Sequence, residues 1–145
     1  MFGALAPAVL QGVLPDYGFE AILPKVQWSV LFHPLFEPEF DRLDEDVQNE
    51  LLAQLHLLRA FGPGLGRPRV DTLNGSRHAN MKELRFDAAD GVWRVAFAFD
   101  PKREAVLLVA SDKSGTGTRQ FYKRLLKAAD ERFDEHLLRQ KERKT

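Results

Sequence analysis

Two arginines, a lysine and a tyrosine stand where they could share one surface. Arg85 lies in KELRFD and Arg94 in VWRVAFAF. Side chains on a strand alternate between its two faces. Trp93, Val95, Phe97 and Phe99 therefore point one way, and Arg94, Ala96 and Ala98 the other. On the preceding segment Leu84 and Phe86 match the bulky face, while Glu83 and Arg85 match the small one. A guanidinium pair beside alanine-sized neighbours describes a shallow floor able to receive an anion, because a guanidinium presents a planar fork of donors. Lys113 follows the third segment of the group, and Tyr122 is close enough in sequence to reach the same floor. The bland alternative is a solvated sheet surface whose arginines make weak ion pairs with Glu83 and its neighbours.

Three strands must position these groups. Lys82–Asp87, Val92–Phe99 and Ala105–Ser111 are expected to pair as an antiparallel meander. Asp90-Gly91 is a hairpin signal in which Gly would supply positive φ. Asp100-Pro101-Lys102-Arg103 suits a type I turn with Pro in second place. Upstream, Trp28–Phe32 reads as a short strand and Leu35–Leu43 as a short helix. A longer helix follows Asp44 to about Ala60, with Val47, Leu51, Leu55 and Leu58 as its core stripe. Gly62 and Pro63 stop it, GPGLG forms a loop without phosphate-loop spacing, and Arg69–Leu73 is an edge strand. A last helix over Arg119–Arg139 buries Phe121, Leu125, Ala129 and Phe133, and carries Arg119, Lys123 and Lys127 as a basic ridge. The fold class is α+β: a small antiparallel sheet with two N-terminal helices on one face, a C-terminal helix, and the other face available.

The bulk numbers bound the answer. At 145 residues, 44% hydrophobic and 29% charged, one globular domain is expected over 27–141, after an apolar extension at 1–26. The absence of cysteine excludes disulfides and thiolate chemistry. His33, His56, His78 and His136 have no paired ligand spacing, so no metal is expected. The first 26 residues lack a basic start and are broken by Pro and Gly, unlike a signal peptide or a membrane span. Net charge is zero, but it is unevenly placed. Pro34–Ala60 holds two basic and seven acidic residues, whereas Asn74–Lys127 holds eleven basic and six acidic. The basic half is the half that carries the arginines, which points to an anionic ligand.

NGSRHANMKELRF, WRVAFAFDP and LLVASDKSG resemble the RelE/HigB superfamily of toxins from bacterial toxin–antitoxin modules, in its HigB-like, phage-derived branch. The resemblance spans Trp28 to Leu138 and is most specific from Gly66 to Ala129. It implies a RelE-like fold and a ribosome-dependent, metal-independent endoribonuclease that cuts mRNA in the cytoplasm and inhibits translation, without a cofactor. It also implies a helix-turn-helix antitoxin of the HigA-like kind, operator DNA contacted only through that antitoxin, and no membrane partner. Carried over by position, Arg85, Arg94 and Lys113 correspond to the phosphate and transition-state residues. His78, Tyr122 and Asp112 are the candidates for base and acid, with roles left open. Arg77, Lys82, Arg119 and Lys123 are candidates for RNA contact, although Lys82 shares strand parity with Leu84 and the covered face. Related toxins carry two lysines where this chain has Asp112-Lys113. Two other readings stand beside this one: a ParE-like inhibitor of DNA gyrase that cleaves nothing, and an inactive binding relative.

Overall fold

The computed structural model describes residues 27–143 and the backbone of Ala4–Leu5. The extension expected at 1–26 otherwise lies outside the described residues.

The bulky face of the meander is covered as its sequence requires. Strand β1 is Ala4–Leu5 and β2 is Ser29–Phe32; helix α1 is Phe36–Asp41 and α2 is Glu45–Phe61. Strands β3 (Val70–Thr72), β4 (Met81–Ala88), β5 (Gly91–Phe99) and β6 (Glu104–Asp112) follow, and helix α3 spans Thr118–Arg143. The sheet order is β1-β2-β6-β5-β4-β3. The β4–β5–β6 meander is antiparallel as expected, and β3 is the edge strand. β2 runs parallel to β6, so the sheet is mixed. Val47, Leu51, Leu55 and Leu58 of α2 meet Leu84, Phe86, Val95 and Phe97, with Phe36 and Phe40 of α1 closing the same core.

The second face is where structure and expectation part. It is not available along its length, because α3 lies on it. Phe121, Leu125, Ala129 and Phe133 pack on Ala96, Ala98, Val106 and Leu108. The small residues that looked like an open floor are the seat of a helix, and Ala96 and Ala98 have no exposed surface. A register shift between Ala96 and Phe97 pairs Ala96 with Val109 and Phe97 with Leu107. The extra residue lets consecutive Leu108 and Val109 both join the α3 core.

The turns differ in one detail from their sequence reading. In the first hairpin Ala88 pairs with Gly91, so the loop is Ala89-Asp90, and those two residues take positive φ, 49° and 61°. Gly91 is needed for space instead: a Cβ there would lie 2.7 Å from Trp93 Nε1 and 3.0 Å from Asp112 Oδ2. In the second turn the Arg103 amide donates to the Asp100 carbonyl at 3.1 Å, and Arg103 takes φ 63°.

That turn is clasped to the C-terminal end of α3. Asp100 Oδ1 accepts the amides of Lys102 and Glu104, both at 2.9 Å. Asp100 Oδ2 meets His136 Nε2 at 2.8 Å, and Gln140 Nε2 donates to it at 2.6 Å and to Glu104 Oε1 at 3.0 Å. Burial raises the Glu104 carboxyl from 4.5 to about 7, aided by a hydrogen bond to Asp100 and by its charge, against Lys102. Burial works the same way on Asp100, but hydrogen bonds from His136, Glu104 and Gln140 outweigh it and hold the carboxyl at about 2. The two carboxyls thus share a proton. The signs fix a pH window. The Glu104 contribution to stability is complete below 4.5 and is lost as pH rises through about 7. The Asp100 contribution is present above 3.8 and is lost as pH falls through about 2. Burial lowers His33 from 6.5 to about 4, which raises stability over part of the same range, so the Glu104 effect is read as a difference: the urea midpoint of the native chain should fall relative to that of Glu104→Gln from pH 5 to pH 8, with the variant the more stable of the two at pH 8. A midpoint difference that stays constant across that range would contradict the shared proton.

Candidate active site

Strand register decides which of the chemical side chains meet. Arg85 pairs with Arg94 across β4 and β5, Glu83 with Ala96, and Asp71 of β3 with Glu83. All project toward the α3 side, and two like charges opposite each other are unfavourable unless neutralised. Each arginine has its own carboxylate. Arg85 Nη1 is 3.9 Å from Asp71 Oδ2, and Arg94 Nε is 3.6 Å from Glu83 Oε1. The two arginines nevertheless differ. Arg94 is only 8% exposed, with one Nη donating to the Trp93 carbonyl at 2.9 Å. Arg85 keeps 35% of its side chain exposed. The symmetrical open pair expected from strand parity is thus one accessible cation and one sealed cation, because the first turns of α3 cover the Arg94 end.

Tyr122 sits at that end. Its neighbour Phe121 enters the α3 core, which turns the phenol toward β4, where it donates to Glu83 Oε1 at 2.9 Å. Burial pushes the phenol above its usual value of 10.0; a hydrogen bond to Arg94 opposes this and Glu83 adds to it. Tyr122 is accordingly a proton-bearing group. Lys113 Nζ stands 5.4 Å over its ring, a cation–π contact that brings a second positive charge to the phenol. Arg85, Glu83 and Tyr122 line a groove of about 410 Å³, together with Arg67, Asp71 and Asn74. It holds an accessible guanidinium, a carboxylate and a protonated phenol within one small volume. That set can bind a phosphate, accept a proton and give one.

The remaining candidates are placed elsewhere or are engaged. His78 precedes β4, and its Nε2 lies 2.6 Å from Asp134 Oδ1 while its ring packs on Phe133. Arg77 pairs with the same carboxylate. Burial would raise the Asp134 carboxyl, but the hydrogen bonds from Arg77 and His78 prevail and lower it. Asp134 is twelve residues beyond Tyr122, about 18 Å along the helix axis, so Arg77 and His78 do not reach this groove. Asp112 Oδ1 accepts the amides of Val92 at 3.0 Å and Ser114 at 2.9 Å. The Ser114 amide is the main cause of its lowered pKa, burial opposing. That carboxylate is a buttress for the loop leading to α3 and a poor proton donor. Lys82 lies on the α2 side, as its parity indicated, with Nζ 3.3 Å from Thr72 Oγ1. Arg119 and Lys123 are exposed on the turns of α3 that carry Tyr122.

Glu83 and Asp71 are members of the groove that were not among the expected site residues. Strand parity did place Glu83 on the face of Arg85, but as an ion-pair partner and not as a reacting group. Asp71 needs the β3–β4 register, which no local signal supplies. For metals, among the described residues Asp100, Glu104 and His136 bring donor atoms within 4.8 Å of one another. The Gln140 amide already bridges the two carboxylates there, so the position a cation would take is filled by an N–H donor. No described helix is long and apolar enough to cross a membrane.

Residues 38–134 match the family described as phage derived protein Gp49-like (DUF891). The chain is 48% identical over 96 residues to the Mycobacterium tuberculosis (strain ATCC 25618 / H37Rv) protein named "Putative toxin HigB2", covering 66% of this chain and 47% of that protein. It is 40% identical over 109 residues to one named "Putative toxin HigB3" from the same organism, covering 75% of this chain and 93% of that protein. The chain thus spans about half the length of the first relative and nearly all of the second. No solved structure matches.

Proposed function

This chain belongs to the Gp49-like family of phage-derived proteins, and on that premise we propose that it is the toxin of a type II toxin–antitoxin module, acting as a ribosome-dependent mRNA endoribonuclease. The names of its relatives support the toxin part. The observation that carries the nuclease part is the groove in which Arg85 stands open beside the Tyr122–Glu83 hydrogen bond of 2.9 Å.

The chemistry closes without a metal. The 2′-hydroxyl of the RNA attacks its own phosphate, forming the new P–O bond as the bond to the 5′-oxygen breaks. Glu83 takes the hydroxyl proton. Arg85, with Lys113 behind the phenol, stabilises the charge that builds on the phosphorane. Tyr122 gives its proton to the leaving 5′-oxygen. Transfer along the Glu83–Tyr122 hydrogen bond then restores both groups. Arg94, sealed against Glu83, positions that pair. The substrate is mRNA on the ribosome, the site of action is the cytoplasm, and the neutralising partner is an antitoxin encoded beside the toxin.

Tyr122→Phe tests the assignment. It keeps the ring over which Lys113 sits and removes the proton. Cleavage of mRNA in a reconstituted translation reaction should slow by about 10²-fold, the scale of a general acid, with an unchanged circular dichroism spectrum. A fully active phenylalanine variant would remove Tyr122 from the reaction.

A further inference from the structure

The groove carries a second feature at its mouth. Asp71 Oδ2 faces two guanidiniums, Arg67 at 3.2 Å and Arg85 at 3.9 Å. Its other oxygen accepts the Thr72 amide at 2.8 Å, which fixes the carboxylate in place. Arg67 lies before β3, with 77% of its side chain exposed, so its stem is free to follow a larger ligand. The result is an anion held between two arginine forks at the entrance of a groove we read as an RNA site. A carboxylate and a phosphodiester both offer paired oxygens to such forks. An RNA phosphate arriving here would find the seat taken by a weaker tie, since exposed ion pairs contribute little.

We propose that Asp71 is a built-in stand-in for phosphate, and that Arg67 and Arg85 form a phosphodiester subsite which takes the RNA backbone once Asp71 is displaced. The proposal rests on the reading of the groove as an RNA site and extends it, adding Arg67 as a phosphate contact and Asp71 as a mask. The lowered pKa of Asp71 agrees: the Thr72 amide contributes most, burial opposes, and Arg67 and Arg85 add to the lowering. The carboxyl therefore stays charged wherever the arginines are free to meet RNA. A mask of this kind weakens the capture of stray RNA and leaves tight engagement to a substrate presented with many contacts at once.

The test reads binding, not cleavage. A fluorescent single-stranded RNA oligonucleotide, 2′-O-methylated throughout so that it cannot be cut, is titrated with the full chain by anisotropy over a salt series. Asp71→Asn should tighten binding about threefold, the scale of losing one exposed ion pair. Arg67→Ala should weaken it by about the same factor and reduce the slope of log K against log salt by about 0.7, the signature of one lost single-strand phosphate contact. Unchanged or weaker binding by Asp71→Asn would overturn the mask, since it would make Asp71 a support for the arginines. An Arg67→Ala slope equal to the native one, or no RNA binding by the native chain, would overturn the subsite. Tightening toward an oligoglutamate peptide but not toward RNA would assign the seat to an acidic peptide and overturn it as well. Because nothing is cut, a chain with no nuclease activity that showed these shifts would sink the nuclease reading alone. An active nuclease without them would sink the subsite alone.

Discussion

Arg85→Ala is expected to abolish growth arrest, and in a reconstituted translation reaction to lower mRNA cleavage by about 10²–10³-fold, the effect of removing one charge-stabilising donor from a preorganised site. The expectation is sharp because Arg85 is the guanidinium open to the groove, with 35% of its side chain exposed and, among the described residues, one ion-pair partner, Asp71 at 3.9 Å. Removing it leaves the core intact, so the variant's melting temperature should stay within a few degrees of the native one. Arg94→Ala should behave otherwise. Arg94 and Glu83 are each about nine-tenths buried, and truncation leaves the Glu83 carboxylate buried with only the Tyr122 phenol. Loss of one partner from a buried pair costs about 3–5 kcal/mol. An inactive Arg94→Ala chain would therefore report unfolding as much as chemistry. A fully toxic Arg85→Ala chain would place the phosphate elsewhere.

Asp100→Ala should be the most destabilising change in the turn. Asp100 accepts two backbone amides with Oδ1 and meets His136 and Gln140 through Oδ2. Alanine leaves two amides without acceptors and a buried imidazole and carboxamide without their partner, a cost of about 3–5 kcal/mol. That is a large part of the 5–15 kcal/mol typical of a domain, and chemical denaturation reads it directly. Asp100→Asn keeps the turn acceptor and should lose less. Equal losses in the two variants would show that the charge on Oδ2, not the turn, is what matters.

Much of the fold was legible from period and punctuation. The alternation in β5 fixed its two faces, and the Val47–Leu51–Leu55–Leu58 stripe fixed the buried side of α2. Arg85 and Arg94 were legible as neighbours because one hairpin sets their register. What local pattern could not give was the partner of the alanine face. The stripe Phe121–Leu125–Ala129–Phe133 and the pair Ala96 and Ala98 are complementary, but only tertiary packing brings them together. Sealing of Arg94 follows from that packing, as does the separation of His78 from the groove by the length of α3. The hairpin signal at Asp90-Gly91 was right about the turn and wrong about the reason. Gly91 provides room for Trp93 and Asp112, while Ala89 and Asp90 take the left-handed backbone.

The nuclease assignment is tested by induction of this chain alone in a bacterial host, followed by primer extension on a well-translated mRNA and on the same mRNA without its start codon. Ribosome-dependent cleavage at this groove predicts growth arrest with in-frame cuts in the translated message, none in the untranslated one, and none with Arg85→Ala. Growth arrest with intact message would contradict it and turn attention to a target such as DNA gyrase.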